Sequence, residues 1–334
     1  MIEMNMINAV LKTPALSSWT EKANFFGARK LPFVFLIDFE AGNAEIFTFH
    51  EALEKGIRWS FPDGHRSVPV PQHPPAIQLE KYPISLEEYD QKFQQVMSAL
   101  QYGDSFLTNL TVSTPIKTNL GLLDIYRFAN APFKVYWPDK FVVFSPERFV
   151  KIQSGKIYTY PMKGTIKDEK GAEQLLSNIK EQEEKATVVD LMRNDLAMNS
   201  RDVQVERFRY AEAIQTDRGK IWQTSSKISG RLPSFFHEKI GSIIASMLPA
   251  GSISGAPKKR TVEIIQESEG EPRGWYTGVC GYYDGADLDS AVMIRFIEKT
   301  DKGLVFRSGG GITAKSTADQ EYQEMIDKIY VPVY

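Results

Sequence analysis

The chain has 334 residues, and its 42% hydrophobic and 25% charged content is that of a soluble globular protein with a sizeable core. The formal net charge is −2, so the sequence lacks the basic excess that a nucleic-acid or anionic-membrane partner requires. A single cysteine, Cys280, excludes an intrachain disulfide and a zinc-finger site and fits a reducing compartment.

No segment predicts export or membrane insertion. The first residues lack the basic start and the long apolar stretch of a signal peptide. No apolar run approaches the ~20 residues of a membrane-spanning helix. We therefore expect a cytoplasmic protein without a membrane or nucleic-acid partner.

The predicted elements begin with two strands and a capped helix. Pro32–Phe39 and Glu45–Phe49 have the apolar and aromatic content of strands, with a turn between them. Ser85 is expected to cap a helix that ends near Leu100, and Glu88, three residues further on, would complete a capping box.

Strand-like runs with helices between them follow along the rest of the chain. In chain order we expect strands at Phe106–Ser113, Phe133–Trp137, Phe141–Phe144, Phe149–Ile152 and Lys156–Tyr160, a helix at Ala172–Met198, strands at Val203–Arg209 and Ile221–Gly230, helices at Phe235–Met247 and Pro257–Glu267, strands at Gly278–Tyr283, Asp289–Glu298 and Gly303–Ser308, and a final helix at Thr317–Tyr330. Ser154-Gly155 predicts a hairpin turn, and Pro257 suits the first helical position. This pattern favours an α+β fold over a wound βαβ fold.

The proline-rich segment Val68–Pro75 could separate two domains. However, Met1–Ser67 contains few strands for independent stability. We therefore expect one catalytic domain over residues 1–334, in which residues 1–82 form part of the same core as residues 83–334.

Four carboxylates stand in two matched pairs on predicted helices. Glu181 and Glu184 are three residues apart and project from one helix face, and Glu321 and Glu324 repeat the spacing on the last helix. Two such faces brought together would supply the hard oxygen ligands that Mg²⁺ prefers. From spacing alone, two solvated acidic helix faces are the favoured explanation, because such faces are common.

Two glycine-containing segments could approach an anionic ligand. Leu248–Lys258 (LPAGSISGAPK) leads into a predicted helix, and backbone N–H groups at a helix start bind anions, but the segment by itself favours a simple helix-initiating turn. Ser308–Ile312 (SGGGI) allows close backbone approach to a ligand, although a bulge is the alternative. None of the four histidines has a partner at metal-ligand or triad spacing.

Eight segments in fixed order resemble the chorismate-utilising enzymes, a family that includes anthranilate, aminodeoxychorismate, isochorismate and salicylate synthases. The resemblance runs from Pro83 to Tyr334. Its segments are GDSFLTNLT (103–111), SPERF (145–149), PMKGT (161–165), VVDLMRNDL (188–196), LPAGSISGAPKKRTVEII (248–265), GVCGYY (278–283), AVMIRF (291–296) and SGGGITAKSTADQEYQEMIDK (308–328). Each fragment is weak by itself, but their shared order is a strong signal.

The resemblance implies two large antiparallel β-sheets packed as a sandwich, with helices outside and the active site between the sheets. It implies Mg²⁺ as cofactor, bound by Glu184 and Glu324, with Glu181 and Glu321 nearby or acting through water. The positions that match substrate-binding residues of the family are Gly164, Thr165, Tyr276, Arg295, Gly309, Gly310, Gly311 and Lys328.

Two further matches imply the chemistry. Glu147 corresponds to the general acid that protonates the departing C4 hydroxyl of chorismate. Lys163 stands where anthranilate and salicylate synthases typically carry alanine and aminodeoxychorismate synthases carry lysine. The resemblance therefore implies a Lys163 covalent intermediate, with chorismate and ammonia as substrates and a separate glutamine amidotransferase as partner. Thr224 departs from the family, since many members carry histidine there.

Three alternatives stay open at this point. The chain could be an anthranilate synthase or another chorismate-converting enzyme, such as an isochorismate or salicylate synthase. It could be a non-catalytic chorismate-binding regulatory protein that kept the fold. Without the family resemblance, the fallback is a generic Mg²⁺-dependent phosphotransferase, although the sequence has no recognisable phosphate loop.

Overall fold

The structure is a computed structural model that describes residues 18–62, 76–166, 179–216 and 219–333. The side chains of residues 163–166, 179–187, 212–216, 219–221 and 223 lie outside the description. So do the predicted proline-rich link Val68–Pro75 and the first part of the predicted helix Ala172–Met198. None of the helices described is long and apolar enough to cross a membrane.

Helices and strands occupy most of the described chain. The helices are α1 (Trp19–Ala28), α2 (Phe49–Glu54), α3 (Leu86–Tyr102), α4 (Leu122–Phe128), α5 (Ile179–Ala197), α6 (Ile240–Ser246), α7 (Gly251–Ser254), α8 (Lys258–Glu269) and α9 (Ala318–Asp327), with a 3₁₀ turn at Phe236–Lys239. The strands are β1 (Phe33–Ile37), β2 (Ala44–Thr48), β3 (Arg58–Ser60), β4 (Leu79–Lys81), β5 (Leu107–Thr118), β6 (Phe133–Trp137), β7 (Phe141–Ser145), β8 (Arg148–Gln153), β9 (Lys156–Thr159), β10 (Met162–Ile166), β11 (Arg201–Thr216), β12 (Gly219–Arg231), β13 (Gly255–Ala256), β14 (Val279–Tyr283), β15 (Leu288–Val292), β16 (Phe296–Thr300) and β17 (Gly303–Ile312).

These strands form two large antiparallel sheets. The first has the order β10-β12-β9-β8-β15-β14-β1-β2, with β11 paired to β12. The second has the order β13-β5-β17-β16-β7-β6-β3, with β4 paired to β5. Neighbours in space are often distant in sequence, as with β1 and β14 or β5 and β17. The predicted α+β class with two antiparallel sheets is confirmed.

Strand β1 shows why both faces of the first sheet are apolar. All five of its residues are buried. Phe33, Phe35 and Ile37 belong to a core shared with α1, α6 and α7. Val34 and Leu36 point to the opposite face and join a second core. Side chains alternate along a strand, so burial of both faces produces an unbroken apolar run rather than an alternating one.

Three hydrophobic cores hold the layers together. The middle core combines side chains of β1, β14 and β15 with side chains of β6, β7 and β16, so it lies between the sheets. A second core joins the first sheet to α1, α5, α6 and α7, and a third joins the second sheet to α3, α4, α8 and α9. The layer order is therefore helices, sheet, sheet, helices, as predicted.

Local signals placed several element ends correctly. The Ser85 hydroxyl caps α3 by accepting a hydrogen bond from the Glu88 N–H at 3.1 Å, and α3 ends at Gly103 with φ 94°. Ser154 and Gly155 turn the β8–β9 hairpin with φ values of 52° and 72°. Pro257 is the N-cap of α8 rather than its first helical residue.

One predicted strand is wrong. Asp289–Glu298 is two strands, because β15 ends at Val292 in the first sheet and β16 starts at Phe296 in the second. The backbone turns at Arg295, which has φ 52°. The sequence gives no turn signal here because both strands bury apolar residues, so the segment looks like one continuous apolar run. This crossing between sheets places Arg295 at a corner.

Candidate active site

The predicted site residues lie on well-separated parts of the chain. Lys163, Gly164 and Thr165 are in β10, Glu147 follows β7, Glu181 and Glu184 are in α5, Tyr276 precedes β14, Arg295 links β15 to β16, Gly309, Gly310 and Gly311 are in β17, Glu321 and Glu324 are in α9, and Lys328 is the C-cap of α9. The sheet order determines which of them meet.

Gly310 is the point where β17 meets α9. A Cβ atom built on Gly310 would lie 3.2 Å from Glu321 Oε2 and 3.3 Å from Glu324 Oε1. The same atom would lie 3.6 Å from Lys328 Nζ. The absence of a side chain at Gly310 therefore leaves open the space beside two carboxylates and one ammonium group. Next to it, a Cβ on Gly309 would collide with the Leu110 carbonyl of the paired strand β5.

Lys328 ties α9 to the glycine strand. Its ammonium group donates a hydrogen bond to the Gly309 carbonyl at 2.7 Å and forms an ion pair with Glu324 Oε1 at 2.5 Å. The Ser308 hydroxyl adds a second link by donating to the Met325 carbonyl at 2.9 Å. These two hydrogen bonds between β17 and the end of α9 fix the position of the helix on the sheet. The carboxylates of α9 therefore have a defined position relative to Gly310.

The α9 carboxylates fit half of the predicted magnesium site. Glu321 and Glu324 offer hard oxygen atoms beside the open space at Gly310. The pKa of Tyr89 is raised mainly by burial, and the negative charges of Glu321 and Glu324 raise it further. Among the side chains that the structure describes, no three His, Cys, Asp or Glu groups converge on one point. The side chains of Glu181 and Glu184, which would complete the set, are outside the description.

Glu147 presents a buried and unpaired carboxyl oxygen. Its backbone is held by the Ser145 hydroxyl, which accepts from the Glu147 N–H at 3.1 Å, and by the Val292 N–H, which donates to the Glu147 carbonyl at 3.1 Å. Oε1 is buried and has no hydrogen-bond partner in the described part of the chain. Burial raises the pKa of the Glu147 carboxyl, while the Ser252 hydroxyl, Lys328 and Arg295 oppose that rise.

Arg295 and Tyr276 supply the next polar groups. The Arg295 carbonyl accepts from the Phe144 N–H at 3.0 Å, and the guanidinium lies 5.2 Å from the Tyr330 ring centroid. Within the described residues, Arg295 Nε is buried without a hydrogen-bond partner. Burial raises the pKa of Tyr276 to about 12, although Arg273 and Arg295 oppose the shift. The Tyr276 hydroxyl therefore stays neutral and can donate a hydrogen bond.

Lys163 lies on β10, opposite Thr224 of β12. The register of this pair shifts between Lys163 and Thr165, which makes Gly164 the irregular position. Such irregularities re-aim side chains and are frequent beside active sites. Thr224, the residue that departs from the family, is buried and therefore stands in the sheet position directly across from Lys163.

Sequence reasoning missed a buried ion pair behind these residues. Arg273 is 1% exposed and binds Glu269 through Nε at 2.9 Å and through its second terminal nitrogen at 2.6 Å. Arg273 also donates to the Ile253 carbonyl and the Thr277 hydroxyl, both at 3.3 Å. It thereby joins the short helix α7 to the segment that carries Tyr276. The i,i+4 spacing of the pair was the available signal, but that spacing is common on surface helices.

Sequence reasoning also left Ser252 without a role. Ser252 lies in α7, inside the segment expected to approach an anion, and its hydroxyl is one of the three groups that oppose the pKa rise of Glu147. The cations Arg295 and Lys328 can hold a carboxylate of a ligand, and burial can keep a proton on Glu147. The arrangement therefore suits a small anionic substrate that needs an acid catalyst.

Comparisons with known proteins show the family of this chain. A family model described as chorismate binding enzyme matches residues 35–333. An uncharacterized PabA-like protein of Pasteurella multocida is 49% identical over 325 residues, which are 96% of this chain and 99% of the relative. Aminodeoxychorismate synthase component 1 of Salmonella typhimurium is 32% identical over 259 residues, which are 72% of this chain and 56% of the relative.

Solved structures show the same fold. Anthranilate synthase component I of Streptococcus pneumoniae matches with a TM-score of 0.63 and 28% identity, over 75% of this chain and 58% of that chain. The menaquinone-specific isochorismate synthase of Escherichia coli matches with a TM-score of 0.70 over 93% of this chain and 79% of that chain. At 17% identity, the second match supports the fold only.

Proposed function

Because this chain belongs to the family of chorismate binding enzymes, we propose that it is the aminating component of an aminodeoxychorismate synthase. It would convert chorismate and ammonia to 4-amino-4-deoxychorismate and water. The observation that carries this choice is Lys163, at the position where the aminating members of the family have lysine. Relatives named aminodeoxychorismate synthase component 1 support it, although the aligned region covers only 56% of the Salmonella typhimurium relative.

Substrate binding follows from the charges of the site. Arg295 and Lys328 would hold the two carboxylates of chorismate, and the neutral Tyr276 hydroxyl would donate a further hydrogen bond. The backbone of Gly309 and Gly310 lies beside the Lys328 ammonium group, so the substrate can approach this strand closely.

Glu147 would act as the general acid. Its carboxyl is buried, and burial favours the protonated form that an acid catalyst needs. In the first step the neutral Lys163 amine bonds to C2 of chorismate while the C4–O bond breaks. Glu147 gives its proton to the leaving oxygen, which departs as water, and then takes a proton from the lysine nitrogen. The carboxyl is thereby restored.

Ammonia would complete the reaction at C4. Its nitrogen bonds to C4 while the C2–N bond to Lys163 breaks, and the electron pair of that bond returns to the lysine nitrogen. One proton leaves the incoming nitrogen and one is returned to the departing amine. Two displacements of this kind have lower barriers than one direct substitution of a poor leaving group.

Magnesium would be held by Glu324 and Glu184, with Glu321 and Glu181 beside them. The oxygen donors of α9 and the open space at Gly310 fit this ion. When bound, the ion would supply a positive charge for the ring carboxylate of the substrate. The ammonia would come from glutamine through a separate amidotransferase subunit.

The proposed function is tested with the purified chain, chorismate, Mg²⁺ and ammonium. The wild-type protein should form aminodeoxychorismate, identified by chromatography and mass. When ammonia is withheld, mass should accumulate on the peptide that contains Lys163. Lys163→Ala should lose this adduct and most of the product. Lys156→Ala, which removes a lysine from β9, the strand that pairs with the last residues of β12, is the matched control and should retain both.

The alternatives give different outcomes in the same assay. Anthranilate with pyruvate would identify an anthranilate synthase, and isochorismate or salicylate would identify the other converting members. Binding of chorismate without turnover would identify a regulatory protein. Aminodeoxychorismate made by Lys163→Ala at the wild-type rate in modest ammonia would show that the covalent step is wrong.

A further inference from the structure

Ser252 and Glu147 share an unusual state. Ser252 Oγ and Glu147 Oε1 are both buried, and neither has a hydrogen-bond partner in the described part of the chain. Burying a polar atom without a partner costs free energy, so such atoms are rare in folded proteins. The Ser252 hydroxyl is also one of the groups that oppose the rise in the Glu147 pKa, so these two buried polar groups lie close together.

The neighbouring serine of the same short helix behaves differently. Ser254 is fully buried, and its hydroxyl donates to the Ala250 carbonyl at 3.0 Å. Ser254 therefore stabilises α7 itself. Ser252, two residues earlier, makes no such bond within α7. The Ser254 hydroxyl is therefore structural, whereas the Ser252 hydroxyl remains available for another group.

The backbone around Ser252 is held from behind. Arg273 donates to the Ile253 carbonyl, the next residue along the chain, and is itself fixed by the buried Glu269. The Ser252 hydroxyl lies close enough to the Glu147 carboxyl to oppose the rise in its pKa, and Lys328 and Arg295 act on the same carboxyl. A hydroxyl on a fixed backbone can hold a carboxyl in one orientation with little loss of entropy.

We propose that Ser252 is the positioning residue of Glu147: its hydroxyl donates a hydrogen bond to the Glu147 carboxyl while that carboxyl passes its proton to the departing hydroxyl of the substrate. The inference rests on the proposed function, because it requires Glu147 to act as general acid. Ser252 forms no covalent bond and keeps its own proton. Catalytic hydrogen bonds are often open in a free enzyme and close when the substrate is bound.

Ser252→Ala tests this role. The variant removes a buried hydroxyl that has no partner, so its melting temperature should equal or exceed that of the wild type. Its kcat should fall roughly 10- to 100-fold, as expected when a hydrogen bond to a group that becomes charged is lost. KM for chorismate should change little, because the bond strengthens only as the proton leaves.

The pH profile separates positioning from a merely structural effect. Loss of a donor to the carboxylate raises the Glu147 pKa further, so the alkaline limb of kcat should move to higher pH. Arg295 and Lys328 remain in both proteins and do not account for a difference between them. Ser252→Thr keeps the hydroxyl and should restore both kcat and the limb. Ser254→Ala, the matched control, should melt lower and leave the limb unmoved.

The outcomes are distinguishable. A stable Ser252→Ala protein with low kcat and a displaced limb supports the inference, whichever product is formed, even if the product is not aminodeoxychorismate. Wild-type kcat in Ser252→Ala overturns the inference alone. Low kcat with a lower melting temperature and an unmoved limb also overturns it, because the hydroxyl would then be structural. A wild-type protein that leaves chorismate unchanged contradicts the proposed function and the inference together.

Discussion

At the scale of single residues, Glu147 shows how opposing influences place a pKa. Burial alone favours the neutral acid, whereas the Ser252 hydroxyl and the cations Lys328 and Arg295 favour the carboxylate. The net pKa lies above the ordinary value for glutamate. A general acid works best when its pKa approaches the working pH, because it must hold the proton and still release it.

Glu147→Gln should separate catalysis from stability. The kcat should fall by roughly 10² to 10⁴, the usual contribution of a positioned acid. Above the raised pKa of Glu147, the free energy of unfolding of the variant should exceed that of the wild type, because the wild type then has a buried charge and the variant does not. Steady-state kinetics and thermal unfolding of the same samples measure both effects, with the exposed Glu267→Gln as control.

The sign of the pH dependence follows from linkage. Between the ordinary glutamate pKa and the raised pKa of folded Glu147, the native state keeps a proton that the unfolded chain has lost. The contribution of Glu147 to stability is therefore fully present below that window and is lost as the pH rises through it. Glu147→Gln should lack this decline, and an identical decline in both proteins would contradict the assigned shift.

At the scale of elements, the β17–α9 junction carries the described half of the predicted metal site. Lys328 and Ser308 fix the helix against the strand, and Gly310 leaves the space that the carboxylates of Glu321 and Glu324 face. Substitution at Gly310 therefore acts on the geometry of the ligands without removing a charge.

Gly310→Ala should weaken magnesium binding. The added Cβ would lie 3.2–3.3 Å from the two carboxylate oxygens and force them to move. The dissociation constant for Mg²⁺ should rise roughly tenfold or more, a loss of the size seen when ligand-orienting contacts change. Calorimetric titration of the free protein measures it without an activity assay. Gly42→Ala, which meets no atom within 4 Å, is the control.

Glu324→Gln should reduce magnesium affinity further and abolish most turnover, since it removes one of the two predicted direct ligands. Full turnover of the wild type in excess chelator, or unchanged Mg²⁺ titrations of both variants, would contradict the metal assignment.

At the scale of the whole molecule, the core between the sheets decides whether the cysteine of this chain could release ammonia from glutamine. Cys280 is the only cysteine of the 334 residues, and it lies in β14 within the core between the sheets. Its thiol is fully buried, and burial raises its pKa far above the ordinary range. A glutaminase nucleophile must be exposed and easily ionised. Cys280 has neither property, so it is not such a nucleophile.

The chain alone should therefore use ammonium and not glutamine. Product formation should be absent with ammonia-free glutamine and should appear when an amidotransferase is added. Cys280→Ala should keep the ammonium-dependent rate of the wild type. Product made from glutamine by the purified chain alone would refute this expectation.

Much of the molecule follows from local sequence. The Ser85 cap and the Ser154-Gly155 hairpin depend on neighbours within a few residues, and each is found where it was predicted. The family resemblance pointed to the chorismate binding enzymes through the order of its segments. These features are determined by residue types and their spacing along the chain.

The division of Asp289–Glu298 into β15 and β16 was decided only by the tertiary structure. Apolar residues continue through the crossing because each sheet buries both of its faces, so local periodicity does not mark the turn at Arg295. The meeting of Gly310 with α9 and the unpaired Ser252 and Glu147 likewise depend on contacts between residues far apart in sequence. Residue type and spacing determine which elements form, whereas the packing of two sheets determines which polar atoms are left without partners.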